Sequence, residues 1–212
     1  MIIRILILLA CISSAFSGES ASKVLKEIVK KYNNIENFTA EFIHTEYFNL
    51  YGSKNERIGK IYIKDGIKYR YVTDEETVIT DGETVWIYTS FNNQVLIDNA
   101  KKDDEGGYLI PRDLLYKYPR EYYATLLEEL KIDKDNYYVL KLDPKENVHG
   151  FIQSMKIWVN AKSYIISKIE YTDYQKNIST FEIKKIDIDT KLLDKQFIYE
   201  VEEGVKVVDV RM

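Results

Sequence analysis

The sequence predicts an α+β protein: one N-terminal helix, then about ten antiparallel strands, enough for a sheet to curl on itself, with two short helices set between the meanders. Three observations lead there. Strands follow one another through short turns with no βαβ alternation, which excludes a doubly wound parallel sheet. The stretch Val78–Ile97 reads as a meander: Asp81-Gly82 supplies the positive φ of a tight turn, and a second turn around Asn92-Asn93 launches a third strand. In that meander Val85 and Ile87 alternate with Trp86 and Tyr88, so both faces of the sheet carry large apolar side chains. A sheet apolar on both sides must be covered on both, or must hold something apolar on one of them.

In chain order, Val24, Leu25, Ile28, Val29 and Tyr32 fall at helical spacing, Ser20 or Ser22 is available as N-cap, and Asn33-Asn34 ends the helix. Phe38, Ala40 and Phe42 then alternate with polar residues and start a strand. Arg57–Lys64 returns it after the turn at Tyr51–Asn55, and Asp65-Gly66 turns the chain into Ile67–Val72. After Ile97 the pattern breaks. A charged loop ending in Gly106-Gly107 leads to a short helix begun by Pro111. Pro119 starts a second over Arg120–Leu130, with Tyr123, Leu126, Leu127 and Leu130 as its apolar stripe. These two helices are placed either to cover the mouth of a curved sheet or simply to close the core. Strands resume at Tyr137–Leu142, Phe151–Val159, Ile165–Tyr171 and Ser179–Ile188, and Phe197–Tyr199 and Val205–Val210 are left as short edge pieces.

Composition narrows the function. With 45% hydrophobic residues against 9 Gly and 3 Pro, the chain of 212 residues folds as one domain, expected over residues 18–212. Its 18 Tyr give apolar area with a polar tip, suited to a β core or to a cavity wall. A formal charge of −4, with acidic residues interrupting the basic runs, speaks against nucleic-acid binding. Residues 1–17 read as a secretory signal peptide: Arg4, an apolar run from Ile5 to Ile12, and the small-residue site Ala15-Phe16-Ser17. The run is too short to span a bilayer. Its loss would remove Arg4 and take the charge from −4 to −5. The rival reading takes Leu8–Cys11 as a lipobox and Cys11 as a lipidated N-terminus.

Enzyme chemistry finds little support. Cys11 is the single cysteine, and beyond it no thiol nucleophile or Cys-based metal site remains. His44 and His149 belong to no metal-ligand spacing and read as strand-surface or turn residues. There is no Gly-x-Ser-x-Gly elbow and no phosphate loop. Asp187 and Asp189 share a strand face but sit among Lys184, Lys185 and Lys191, a solvated edge rather than a catalytic pair. No cofactor, no metal and no catalytic residue is expected. An unrecognised hydrolase would need a polar constellation that the sequence does not offer.

Taken together, Phe38-Thr-Ala-Glu-Phe42, Gly59-Lys-Ile-Tyr-Ile63, Tyr69-Arg-Tyr71, Ile79–Tyr88, Gln94 and Glu203-Gly-Val-Lys-Val207 resemble the outer-membrane lipoprotein carrier protein family (LolA-like) across nearly the whole mature chain. The resemblance implies an incomplete, half-closed antiparallel β-barrel with a helical lid. It also implies a periplasmic chaperone that shelters the acyl chains of lipoproteins between inner and outer membranes. An inner-membrane lipoprotein-releasing transporter would load it and an outer-membrane acceptor would unload it, with the carrier working as a monomer. One departure stands out. Where the family commonly has a basic residue and Pro after this strand, and the basic residue helps hold the lid shut, here Lys64 is followed by Asp65-Gly66. Acyl-chain cavity candidates are Ile61, Ile63, Tyr71, Trp86, Tyr88 and Leu140. Lid candidates are Leu114, Leu115, Leu126 and Leu127, and Arg70 is placed at the rim, able to pair with a lid carboxylate such as Glu121. A one-residue error in register would invert these assignments within a strand. A lipidated outer-membrane receptor and a lipid-sensing regulatory module of the same fold are the competing functions.

Overall fold

The computed structural model describes residues 20–100, 118–146 and 151–211. The expected signal segment and lid candidates Leu114 and Leu115 lie outside these. Helix α1 spans Ala21–Asn33, capped by Ser20, whose Oγ accepts from the Lys23 N–H, and closed at Asn34. Lys30 and Lys31 occupy its last turn, where positive charge complements the helix dipole. Val24, Ile28 and Tyr32, one turn apart, form its buried face.

Twelve strands form one sheet among the described residues. They are β1 (Asn37–Phe48), β2 (Ser53–Lys64), β3 (Lys68–Val72), β4 (Glu76–Thr80), β5 (Thr84–Thr89), β6 (Gln94–Asn99), β7 (Tyr122–Ile132), β8 (Asp135–Pro144), β9 (Ile152–Asn160), β10 (Ile166–Asp173), β11 (Ile178–Ile188) and β12 (Lys206–Asp209). Their order is β12-β6-β5-β4-β3-β2-β1-β11-β10-β9-β8-β7. Two meanders, β1–β6 and β7–β11, are therefore joined along β1 and β11, and the sheet ends on β7 and β12 without closing. Every pairing is antiparallel except β12 on β6, so the tail expected as an edge piece adds a parallel strand. Phe197 falls instead in a 3₁₀ turn, Asp194–Phe197.

The expectation of about ten strands and a second lid helix needs correction. The second helix does not extend to residue 130: after one helical turn at Tyr118–Glu121 the chain runs extended as β7. Tyr123, Leu126, Leu127 and Leu130 do repeat at helical spacing, but Tyr122, Ala124 and Leu126 also alternate. Pairing with Pro144, Leu142 and Leu140 on β8 rewards the second period. A bulge between Leu126 and Glu128 leaves Leu127 exposed, while Leu126 packs half-buried on the core. Neither residue sits on a lid helix.

Alternation along each strand sorts the side chains into two faces. The inner face, covered by α1, carries the main core, including Phe38, Phe42, Ile61, Ile63, Leu140, Leu142 and Ile157. Tyr32 ties α1 down by accepting the Ile166 N–H at its hydroxyl, 3.2 Å away. The outer face carries the cross-strand row Tyr62, Arg70, Ile79, Trp86 and Ile97. Residues 192–199 strap part of this face. The Phe197 side chain is fully buried, Asp194 accepts from Lys64 and Lys68 at 2.9 and 2.7 Å, and Tyr199 stacks on Tyr88 with ring centroids 5.8 Å apart. Helix α1 and the strap thus each cover part of one face of the sheet whose two sides the Val85–Tyr88 alternation makes apolar.

Candidate ligand-binding cleft

On the inner face a cleft of about 890 Å³ opens between the ends of β1, β2, β3 and β4, the β5–β6 turn, and β10 and β11. None of its described lining comes from α1. Its wall is aromatic because several strands bring inward-facing rings to one level. His44 on β1 faces Phe181 on β11, and Phe42 stacks on Tyr71 of β3 at 5.3 Å and meets Phe181 edge-on at 5.7 Å. Phe151 meets Tyr171 edge-on at 5.9 Å. Phe48 and Val78 extend the apolar lining. Burial raises the phenol of Tyr71 well above its ordinary range and that of Tyr171 to about 12, so both rings stay neutral.

One end of the cleft is charged. Arg57, opposite His44 on β2, donates from Nε to Glu75 and from Nη1 to Glu46. Burial opposes its charge, but these two carboxylates outweigh that and hold the guanidinium above its usual range. Glu76 lies beside them in the wall, its acid strength weakened first by burial and only partly restored by Arg57. His44 is 7% exposed and lies parallel to the Phe181 ring at 4.0 Å. The strand-surface reading of His44 is therefore corrected: as the inward member of an alternating strand it joins the aromatic wall. Burial pulls its pKa down to about 4, so the ring is neutral at physiological pH, and neither nitrogen has a hydrogen-bond partner in the structure.

Of the cavity candidates, Tyr71 lines this cleft. Ile61, Ile63 and Leu140 are buried on the same face, in the core that backs it. Trp86 and Tyr88 are not brought together with these. The register puts Ile87 in the inner row with Ile61, Tyr71 and Val78, and its neighbours on the outer face, where Tyr88 meets Tyr199. Alternation alone forbids a single cavity lined by both sets. Arg70 also lies on the outer face, where its Nη1 donates to the Gln196 carbonyl at 3.3 Å, so the proposed pairing with Glu121 is replaced by a tie to the strap. Sequence reading missed Phe48, Phe151, Tyr171 and Phe181, although Ser179, Phe181 and Ile183 alternate on β11 as visibly as the β1 residues they face. It also missed the Arg57 cluster, since nothing in the order of residues places Glu46, Glu75 and Glu76 around one guanidinium. Asp187 is ion-paired with Lys185 at 2.8 Å, and among the described residues no group of three or more potential metal-ligating side chains occurs.

The fold is thus an open sheet with one helix, carrying on its inner face a cleft with an aromatic wall and an Arg57–carboxylate cluster. The family model "Outer membrane lipoprotein carrier protein LolA" matches residues 33–200, and the chain belongs to that family. The chain is 24% identical over 221 aligned positions to an outer-membrane lipoprotein carrier protein of Psychromonas ingrahamii, covering 100% of this chain and 98% of that protein. Among solved structures, an uncharacterized conserved protein of Thermus thermophilus shares the fold with a TM-score of 0.58 at 14% identity. That match covers 89% of this chain and 98% of the other. MucB aligns with a TM-score of 0.52 at 14% identity, over 88% of this chain and 65% of MucB. No helix among the described residues is long and apolar enough to cross a membrane.

Proposed function

We propose that this chain is a periplasmic chaperone that takes the acyl chains of lipoproteins into the inner-face cleft and carries them from the inner to the outer membrane. The observation that supports the reading is the aromatic cleft of about 890 Å³, which is at the upper end of the range of small-molecule sites and adjoins the hydrophobic core. Each methylene withdrawn from water contributes about 0.8 kcal/mol, so a dry aromatic wall keeps a fatty tail in solution. Tyr71, Tyr171, Phe48 and Phe181 form the contact wall, with Ile61, Ile63 and Leu140 as backing. Residues 1–17 act as a cleaved export signal. A membrane transporter loads the monomeric carrier and an outer-membrane acceptor empties it.

Organic extraction of the purified full chain, followed by mass spectrometry, tests this together with release of labelled lipoprotein from spheroplasts. Co-purifying acyl chains and release on addition of the carrier are the expected results. A clean extract with no release would overturn the reading.

A further inference from the structure

The cleft's charged end carries three carboxylates, Glu46, Glu75 and Glu76, against one guanidinium, and their bonding is unequal. Arg57 is paired with both Glu46 and Glu75. Glu76 is pinned through its backbone, whose N–H donates to Thr73 Oγ1 at 3.0 Å and whose carbonyl accepts the Thr73 N–H at 2.8 Å. Among the described residues its carboxylate has no ion pair or hydrogen bond. Arg57 acts on this half-buried carboxylate only through space and offsets its burial in part, so its charge is left incompletely met. The second, independent sign is His44: more than nine-tenths buried, lining the same cleft, with both ring nitrogens unpartnered. A neutral imidazole offers one lone pair and one N–H; both nitrogens lie beneath the wall surface, so a donor-bearing ligand reaches the lone pair when the ring turns toward the cleft. Phe48 and Phe91 line the same cleft and add ring faces, which attract cations.

We infer that this end of the cleft is a subsite for a protonated primary amine carried next to the acyl chains, its charge met by the Glu76 carboxylate and one of its N–H groups accepted by His44. The site presupposes that the cleft takes acyl chains, as proposed above, and gives the head group's chemistry. Anionic heads are excluded by the same count of charges: a phosphate or sulfate would face three carboxylates, with the only guanidinium of the cluster already shared between two of them. The His44 contact needs an N–H donor, so a quaternary ammonium would forfeit it.

Isothermal titration of the full chain with three dodecyl amphiphiles below their micelle concentrations tests the subsite, because the common tail cancels. The probes are dodecylammonium, dodecylphosphoethanolamine and dodecyl maltoside. Dodecylammonium is expected to bind about tenfold tighter than dodecyl maltoside, a margin of the size that a desolvated cation contact supplies. Glu76→Gln, and separately His44→Phe, which keeps a ring against Phe181, are each expected to cut that ratio about threefold or more. If dodecylphosphoethanolamine shares the advantage, the amine belongs to a phospholipid head group. If dodecylammonium alone gains, it belongs to a basic group of the cargo. Equal affinity for dodecylammonium and the maltoside, or a ratio that neither variant moves, overturns the subsite while leaving the acyl cleft standing. Failure of all three probes to bind overturns the cleft reading itself. Should Glu76→Gln not fold, His44→Phe and the salt dependence of the ratio decide the matter, since added salt weakens only the charged contact.

Discussion

The ring of Phe42 lies across the backbone of Gly59, its partner on the neighbouring strand. A Cβ built on Gly59 would sit 2.3 Å from Phe42 Cζ and 2.9 Å from the Val72 carbonyl oxygen. The glycine therefore makes room for the ring that stacks on Tyr71 and supports the cleft wall. Gly59→Ala must push Phe42 aside or part β2 from β3, an overpacking change worth about 1–3 kcal/mol of destabilisation. Urea denaturation is expected to show that loss, together with weaker amphiphile binding, because the displaced ring is the one that holds Tyr71 in place.

On the outer face, Asp194 clasps the strap to Lys64 and Lys68. Hydrogen bonds from Lys68 and then Lys64 hold its carboxyl well below the usual range, at about 2. The sign follows from linkage: a depressed folded pKa contributes stability above the unfolded value, lost as pH falls through the window from about 4 to about 2. Because the pair is exposed, the clasp is expected to act on the strap rather than on global stability. Asp194→Asn is expected to make residues 190–211 more sensitive to limited proteolysis at neutral pH. An unchanged cleavage rate would show that burial of Phe197, the Tyr199 stack and the Arg70 bond anchor the strap without the clasp.

What could be read in advance depended on whether the deciding interaction was local. Helix α1 was legible because its buried residues, its Ser20 cap and its Asn34 terminus all lie within one short segment. The β1–β6 meander was legible from alternation and from turns such as Asp65-Gly66, where both residues adopt positive φ. Residues 122–132 were not, because two periods coexist there and only the partner strand β8 chooses between them. The same limit governed the site. Alternation within β5 separated Val85 and Ile87 from Trp86 and Tyr88, but which pair faced α1 depended on packing across the sheet, and the outer pair was counted into the cavity. The charged end was invisible because Glu46, Arg57 and Glu75 meet only after three strands pair.

Burial of His44 gives stability a defined pH dependence. Its folded pKa, about 4, is below the value of 6.5 expected for an exposed imidazole, so the unfolded chain takes up the proton first. Stability is therefore intact above about pH 6.5 and falls as pH drops towards about 4, by about 3 kcal/mol at 1.4 kcal/mol per pKa unit. Glu46, Glu75, Glu76, Arg57 and Tyr71 line the same cleft as the ring. The informative quantity is thus the difference between the parent and His44→Phe, which keeps the stack on Phe181 and removes the proton. The variant's denaturation midpoint is expected to decline less between pH 6.5 and 4. Parallel profiles would mean that the imidazole is solvated in the native protein.

Filling the cleft separates a binding role from a structural one. Thr89, at the end of β5, lines the cleft and is only half-buried, so a larger side chain can enter the open space without displacing the core. Thr89→Trp is expected to leave the thermal midpoint within a degree or two of the parent, as surface substitutions usually do. An acyl chain would then lose part of its seat. Leaving three methylenes in water, at about 0.8 kcal/mol each, weakens binding roughly fiftyfold. Titration with dodecyl maltoside reads the affinity, and release of lipoprotein from spheroplasts reads the function. Undiminished binding by a stable Thr89→Trp protein would place the acyl chains elsewhere on the sheet, and the aromatic wall at Phe181 would then be core that happens to face a gap.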